Sequence, residues 1–307
     1  MLRYALQRFL TAIPTLLLVA TLAFLLLHAA PGGPFDEDRR ILPAIRHSIE
    51  AQYHLDEPLW RQYLRYLSNL VRGDLGPSFQ YRGVSVNEII AQGLPVDVTI
   101  GLSAMALALV VGGTLGVTAA LRHRTAWDRA LIALALTGIS TPVFVIAPLL
   151  LLVFAVELHW LPAGDWVAGS LKHLLLPAVS LALPYVAYIA RIMRASTLEV
   201  LGSGFIRTAR GKGLSPGRVL WRHTLRATLT PLISFLGPAL AGLITGSIVV
   251  EGVFGLPGIG RYFLTGALNR DYTLVIGVTV VYGSAIVLCN FLADLCYAWI
   301  DPRVRLQ

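Results

Sequence analysis

Six long apolar runs constrain this chain more than anything else in it. Residues 9–29, 97–121, 130–156, 173–190, 227–250 and 272–300 are each close to the roughly 20 residues that cross a bilayer as a helix. Lipid offers no partners for backbone N–H and C=O groups, so runs of this length are expected to be helical. The chain is 56% hydrophobic and only 14% charged, where a soluble domain carries about 25% charged residues. The expected fold class is all-α integral membrane with six transmembrane helices. The first run also invites a signal-peptide reading. Cleaved signals have apolar cores of roughly 7–15 residues, so an uncleaved helix with its N-terminus inside is expected.

Charge placement orients these spans. The net charge of +8 does not point to nucleic acid, because the basic residues are split among short segments between apolar runs. With the N-terminus inside, fifteen Lys and Arg fall on the inner side of the short segments. Three fall outside, namely Lys172, Arg261 and Arg270. That asymmetry is the one that orients membrane proteins. The expected layout is residues 1–8 inside, a 30–96 outer helical loop, a 191–226 cytoplasmic loop, a 251–271 outer loop and a C-terminus inside. Residues 97–300 then form a single permease domain.

Between the spans, Pro31-Gly32-Gly33-Pro34 stops the first helix. Asp56-Glu57-Pro58 opens an amphipathic helix, with Leu59, Tyr63, Tyr66, Leu67 and Leu70 on one face and Gly73 closing it. Ser85 and Glu88 have capping-box spacing for another short helix. This acid-balanced loop reads as a small lid over the outer membrane face, or as a seat for a substrate-delivering protein. Pro142 and Pro148 fall inside the third run, where helix breakers mean kinked packing or a lined cavity. Asn290 and Asp294 share a face of the sixth. Such groups line a path or bond to a neighbouring helix. Cys289 and Cys296 are seven apart, about 10 Å along a helix, beyond disulfide reach. Asp301-Pro302 ends the last helix.

The most unusual stretch is Gly204–Pro231, which holds Arg207, Arg210, Lys212, Arg218, Arg222 and Arg226 without an acid. Its punctuation predicts two short helices. Gly213 takes a left-handed position after the first, and Ser215-Pro216 opens the second. Arg218, Arg222 and Arg226 form one stripe, beside Trp221 and Leu225. Such an element lies against lipid headgroups or docks into a soluble partner.

No hydrolytic constellation accompanies it: no Walker lysine, His-Glu-x-x-His or Gly-x-Ser-x-Gly. The Gly-rich run at 252–260 lacks the Lys-Ser/Thr of a phosphate loop. No cofactor and no metal site are expected, nor the carboxylate relays of many ion-coupled carriers. A translocator driven by partners fits better than a membrane enzyme or channel.

The Arg207–Leu214 segment RTARGKGL, with Leu229-Thr230-Pro231 after it, resembles the cytoplasmic coupling loop of ABC importer permeases of the peptide and nickel branch. Arg207-Thr208-Ala209 stands where the general pattern has Glu-Ala-Ala, and Gly213 takes its Gly. Gly211 stands where that branch usually has Ala, loosening the first helix by up to ~1 kcal/mol. Residues 73–79 (GDLGPSF), 251–260 (EGVFGLPGIG) and 266–272 (GALNRDY) are similar to outer-loop signatures of the same branch. The resemblance spans nearly the whole chain and is to B-type permeases of oligopeptide importers. It implies a type I ABC importer permease fold in the bacterial cytoplasmic membrane, a heterodimer with a C-type permease, two cytoplasmic ATPases and an extracytoplasmic peptide-binding protein. It implies that Arg207, Thr208, Ala209, Arg210, Gly213, Leu214, Arg218 and Arg222 couple to the ATPases. The substrate it implies is an oligopeptide, with dipeptide, glutathione or nickel import as alternatives.

Overall fold

The computed structural model describes residues 2–29 and 51–300, with side chains from 10–29 and 51–296. The Pro31–Pro34 stop and the Asp301-Pro302 helix end lie outside the described residues. Eleven helices carry the described chain: α1 (Leu2–Ala29), α2 (Leu59–Val71), α3 (Val86–Leu121), α4 (Ala126–Ser140), α5 (Val143–Leu151), α6 (Leu171–Gly202), α7 (Gly204–Gly211), α8 (Pro216–Thr245), α9 (Ile248–Phe254), α10 (Ile259–Leu268) and α11 (Tyr272–Ile300). Among the described residues no strand forms, apart from one isolated bridge between Pro77 and Ser85. Five helices are long and apolar enough to cross a membrane, and two bent pairs bring the number to as many as seven.

The helices depart from the expected runs in four places. The third run is two helices meeting at 101°. Thr141 is extended (φ −89°, ψ 117°), as a residue before proline prefers, and Pro142 caps α5 where its missing N–H costs nothing. Pro148 lies inside α5 without breaking it. Ser85 and Glu88 do exchange capping-box hydrogen bonds, yet the helix they open is the 36-residue α3 rather than a short one. Next, α6 runs on to Gly202, beyond the end placed at 190, because Arg191 and Arg194 end an apolar run without ending a helix. Lastly, α8 stops at Thr245, and residues 251–271 are mostly helical, in α9 and α10.

The chain divides into two compact units. One comprises residues 1–8, 96–256 and 285–307, and the other residues 9–95 and 257–284. In the first, α6 packs along α4 and α8 over a core that includes Ile100, Ala104, Ile189, Met193, Leu243 and Phe254. Gly112 and Gly116 let α3 meet α6 at backbone distance. A Cβ would stand 2.6 Å from the Val186 carbonyl oxygen at the former and 2.4 Å from that of Ala190 at the latter. This is the small-xxx-small packing of membrane helices. Gly242 and Gly246, also four apart, divide their roles. Gly242 faces the Tyr185 hydroxyl, while Gly246 caps α8. Gly116→Val therefore forces α3 and α6 apart. It is expected to cost about 1–3 kcal/mol, seen as a lower thermal midpoint of the detergent-purified chain. An unchanged midpoint contradicts the close approach.

The second unit has its own clusters. Tyr63, Tyr66 and Leu70 of α2 pack on Ala20 and Phe24 of α1 and on Tyr272 and Ile276 of α11, whereas Leu59 is exposed. Burial pushes the Tyr66 hydroxyl up to about 12. Ile259 of α10 joins Val86, Ile89 and Ile90 of α3 and Leu274 and Val278 of α11.

Candidate functional site

The cationic stretch folds as an elbow with its own small core. Ser203, extended at φ −70° and ψ 155°, ends α6, and its hydroxyl donates to the Val200 carbonyl at 2.6 Å. The chain turns at once into α7. Ile206 and Ala209 face inward against Val219, with Val200 and Leu214 alongside. The turn after α7 is closed by Lys212 N–H to the Thr208 carbonyl (3.0 Å), Gly213 N–H to that of Arg210 (2.9 Å) and Leu214 N–H to that of Ala209 (3.4 Å). Gly213 has φ +75° and nothing within 4 Å of where a Cβ would be. Left-handed backbone alone calls for glycine here. Ser215 occupies the N-cap position, but its side chain makes no capping bond; its carbonyl accepts from Val219 N–H at 3.0 Å.

This base leaves the cations outside. Arg207, Thr208, Arg210, Lys212, Arg218, Arg222 and Arg226 are all exposed. Ala209 and Leu214 serve the packing beneath them, at 7% exposure and half-buried respectively. Residues Val219–Thr224 form a π-helical turn, in which the Thr224 hydroxyl donates to the Val219 carbonyl and Leu225 N–H to that of Leu220. Buried positions consequently step by five and then four, at Val219, Thr224 and Thr228, while Arg218, Arg222 and Arg226 stay on the open side. Trp221, on the stripe beside the arginines, is open to the surroundings. It is 75% exposed and Phe205 is 51% exposed, so two large apolar side chains stand among the cations.

A second arrangement braces the helix that leads into the elbow, and sequence reasoning missed it. Asp128, in the first turn of α4, is 2% exposed. Arg194 of α6 grips it with Nε on Oδ1 (2.6 Å) and Nη2 on Oδ2 (2.9 Å). His123 Nδ1 (3.2 Å) and the Arg124 backbone N–H (3.0 Å) complete the carboxylate's partners. Every oxygen is satisfied by charge-assisted bonds, the condition for a buried ion pair to hold. The available signal was one acid amid Arg122, Arg124 and Arg129.

The remaining candidates sit apart from the elbow. Pro142 is exposed at the bend between α4 and α5. Asn290 packs against α8, its Oδ1 2.9 Å from where a Cβ on Gly237 would be, and Asp294 is half-buried one turn along. In the second unit, the 73–79 and 266–272 stretches meet. The buried Asp271 accepts from the Ser78 hydroxyl, Gln80 N–H (3.0 Å), the Thr273 hydroxyl (3.0 Å) and Leu274 N–H (3.1 Å). Among the described residues no cluster of His, Cys, Asp and Glu has the makings of a metal site.

Comparison with known proteins adds to this picture. Residues 112–306 match the family described as "Binding-protein-dependent transport system inner membrane component". Residues 1–101 match "Binding-prot-dependent transport system membrane comp, N-term". The chain is 50% identical over 305 residues to the oligopeptide transport system permease protein OppB of Haemophilus influenzae, covering 99% of this chain and 100% of that one. It is 49% identical over 305 residues to OppB of Escherichia coli, with the same coverage. To the dipeptide transport system permease protein DppB of Bacillus subtilis it is 42% identical over 307 residues, covering 100% of this chain and 99% of that one. Among solved structures, the MetNI methionine ABC transporter in an inward-facing form aligns with a TM-score of 0.55 at 19% identity, covering 69% of this chain and 96% of that chain. That likeness is one of fold.

Proposed function

Because the chain belongs to the family of binding-protein-dependent transport system inner membrane components, we propose that it is the B-type permease subunit of an ATP-binding-cassette importer. It carries oligopeptides inward across the cytoplasmic membrane on energy released by partner ATPases. The observation that carries the coupling role is the elbow at 204–226, a rigid apolar base presenting Arg207, Arg210, Arg218 and Arg222 outward. A short helix on a firm base is what a partner's groove accepts. Closure of ATP-bound ATPases pushes on this elbow and biases the spans between two arrangements. Supporting the layout with both termini and the 191–226 loop in the cytoplasm is the distribution of Lys and Arg among the short segments.

The partners that follow are a C-type permease as heterodimer, two ATPases, and a peptide-binding protein outside. Peptide passes between the two permeases, with Pro142, Asn290 and Asp294 as candidates for the path or for packing around it. Dipeptide import is the second reading, supported by the 42% identity to DppB, against 50% to OppB.

Proteoliposomes holding the chain with its partners test the proposal. ATP-dependent uptake is expected, with peptides longer than two residues competing and nickel not. The isolated chain is expected to hydrolyse no ATP. Turnover by the chain alone, or uptake that only dipeptides inhibit, would overturn the respective parts.

A further inference from the structure

In the first unit, a groove runs between α3, α4 and α6, and nothing in the coupling argument uses it. Its cavity of about 240 Å³ runs along α4 from Leu131 to Ile139, about 12 Å at helical rise. Ala119, Ala135 and Ala190 keep its walls short. Apart from Arg191 and Arg194, every side chain that lines it is apolar, so the walls make no polar demand. The character changes at the end nearest the 122–129 turn. Arg194 there is held by Asp128. Arg191, which also lines the groove, is exposed, lies over the Tyr188 ring at 5.4 Å, and has no carboxylate partner among the described residues. Arg122, Arg124 and Arg129 are exposed on the adjoining turn, and its one acid, Asp128, is buried and spoken for. Trp127, half-exposed with Arg122 over its ring at 5.8 Å, is the residue type that sits at headgroup level.

We propose that this groove is a binding site for an anionic phospholipid, with one acyl chain along the α3–α4–α6 floor and the phosphodiester at Arg191. An apolar groove ending in an exposed guanidinium matches an acyl chain joined to a phosphate, which Arg recognises through paired N–H bonds. Basic pockets between spans on the cytoplasmic side take anionic headgroups. A neighbouring protein helix fits less well, since its apolar side chains would leave Arg191 without a counter-charge in a low-dielectric setting. The site rests on the chain spanning a membrane and not on what it transports.

Native mass spectrometry of the chain purified with its partner subunits reads retained lipid directly, with phosphatidylglycerol and phosphatidylethanolamine titrated as probes. Retention is expected to favour phosphatidylglycerol by about fivefold, as one basic side chain near an anionic headgroup gives. Arg191→Gln, an exposed position, removes that preference. Ala135→Phe plugs the groove and lowers retention of both lipids. Equal retention of the two lipids by the unaltered complex, or an Arg191→Gln complex that still prefers phosphatidylglycerol, overturns the proposal. So does a Leu136→Cys variant, at an exposed position on the groove, that crosslinks to the second permease and not to a lipid-borne photoprobe. A complex that transports no peptide leaves these readings intact, so failure of the transport role and failure of the lipid site are told apart.

Discussion

Gly213→Pro is expected to abolish peptide uptake while the chain still inserts in the membrane. Proline holds φ near −65°, and the native backbone needs +75° at this position. Proline also removes the N–H that bonds the Arg210 carbonyl at 2.9 Å. Both losses fall on the turn that sets α7 against α8, so the cations no longer share one platform. Gly213→Ala separates the contributions, because no atom lies within 4 Å of the added methyl. It carries only the left-handed strain, about 1–2 kcal/mol, and is expected to reduce uptake partially. Arg207→Glu with Arg210→Glu approaches the same end by charge. Both side chains are exposed, so the fold survives while an acidic partner groove is repelled. Labelled-peptide uptake, set beside membrane abundance and co-purifying ATPase, is the measurement. Normal uptake by either the proline or the double-charge variant would show that the elbow transmits nothing.

Asp128→Ala is expected to be the most destabilising single change in the first unit. It strands Arg194, a guanidinium with 22% of its side chain exposed, beside an empty site. Removing one partner of a buried pair costs about 3–5 kcal/mol. Asp128→Asn keeps the shape and a carbonyl acceptor, and should cost less. Replacing both partners, Asp128→Leu with Arg194→Leu, removes the uncompensated charge and is expected to recover much of the loss. Denaturation of the detergent-purified chain gives the ranking. A single alanine variant within about 1 kcal/mol of the parent would mean that water reaches the site and screens it, as at a surface pair.

How much of this was legible beforehand depends on the range of the interaction involved. The first helix of the elbow was readable because its determinants are local, whereas the second is not the short helix expected but the start of α8, continuous from Pro216 to Thr245. Gly213, Pro216 and the apolar Ile206 and Ala209 act within a few residues of one another. The spans were readable from length and hydropathy, and α11 occupies the stretch expected of it. Prolines were the poorer guide. Pro177, Pro184, Pro231 and Pro238 lie inside continuous helices, and only at Pro142 does an extended Thr141 turn the chain through 101°. Sequence shows the missing donor, and tertiary packing decides whether the helix tolerates it. The Asp128–Arg194 pair was hidden by its separation of 66 residues. Arg194 looked like one more cation of the inner boundary when it is the partner of the adjacent turn's only acid. Residues 251–271 are expected as an outer loop, and glycine spacing carries no sign that Ile248–Phe254 winds into a helix.

The widened turn at Val219–Thr224 holds the elbow and the span α8 in one fixed rotational phase. Excising Leu220 would restore ordinary winding and turn the five-residue step from Val219 to Thr224 into the four of an α-helix. The buried face would stay in phase, and the guanidinium groups would keep the azimuth they have. The surplus residue is absorbed where it stands, so the elbow's aim survives its loss.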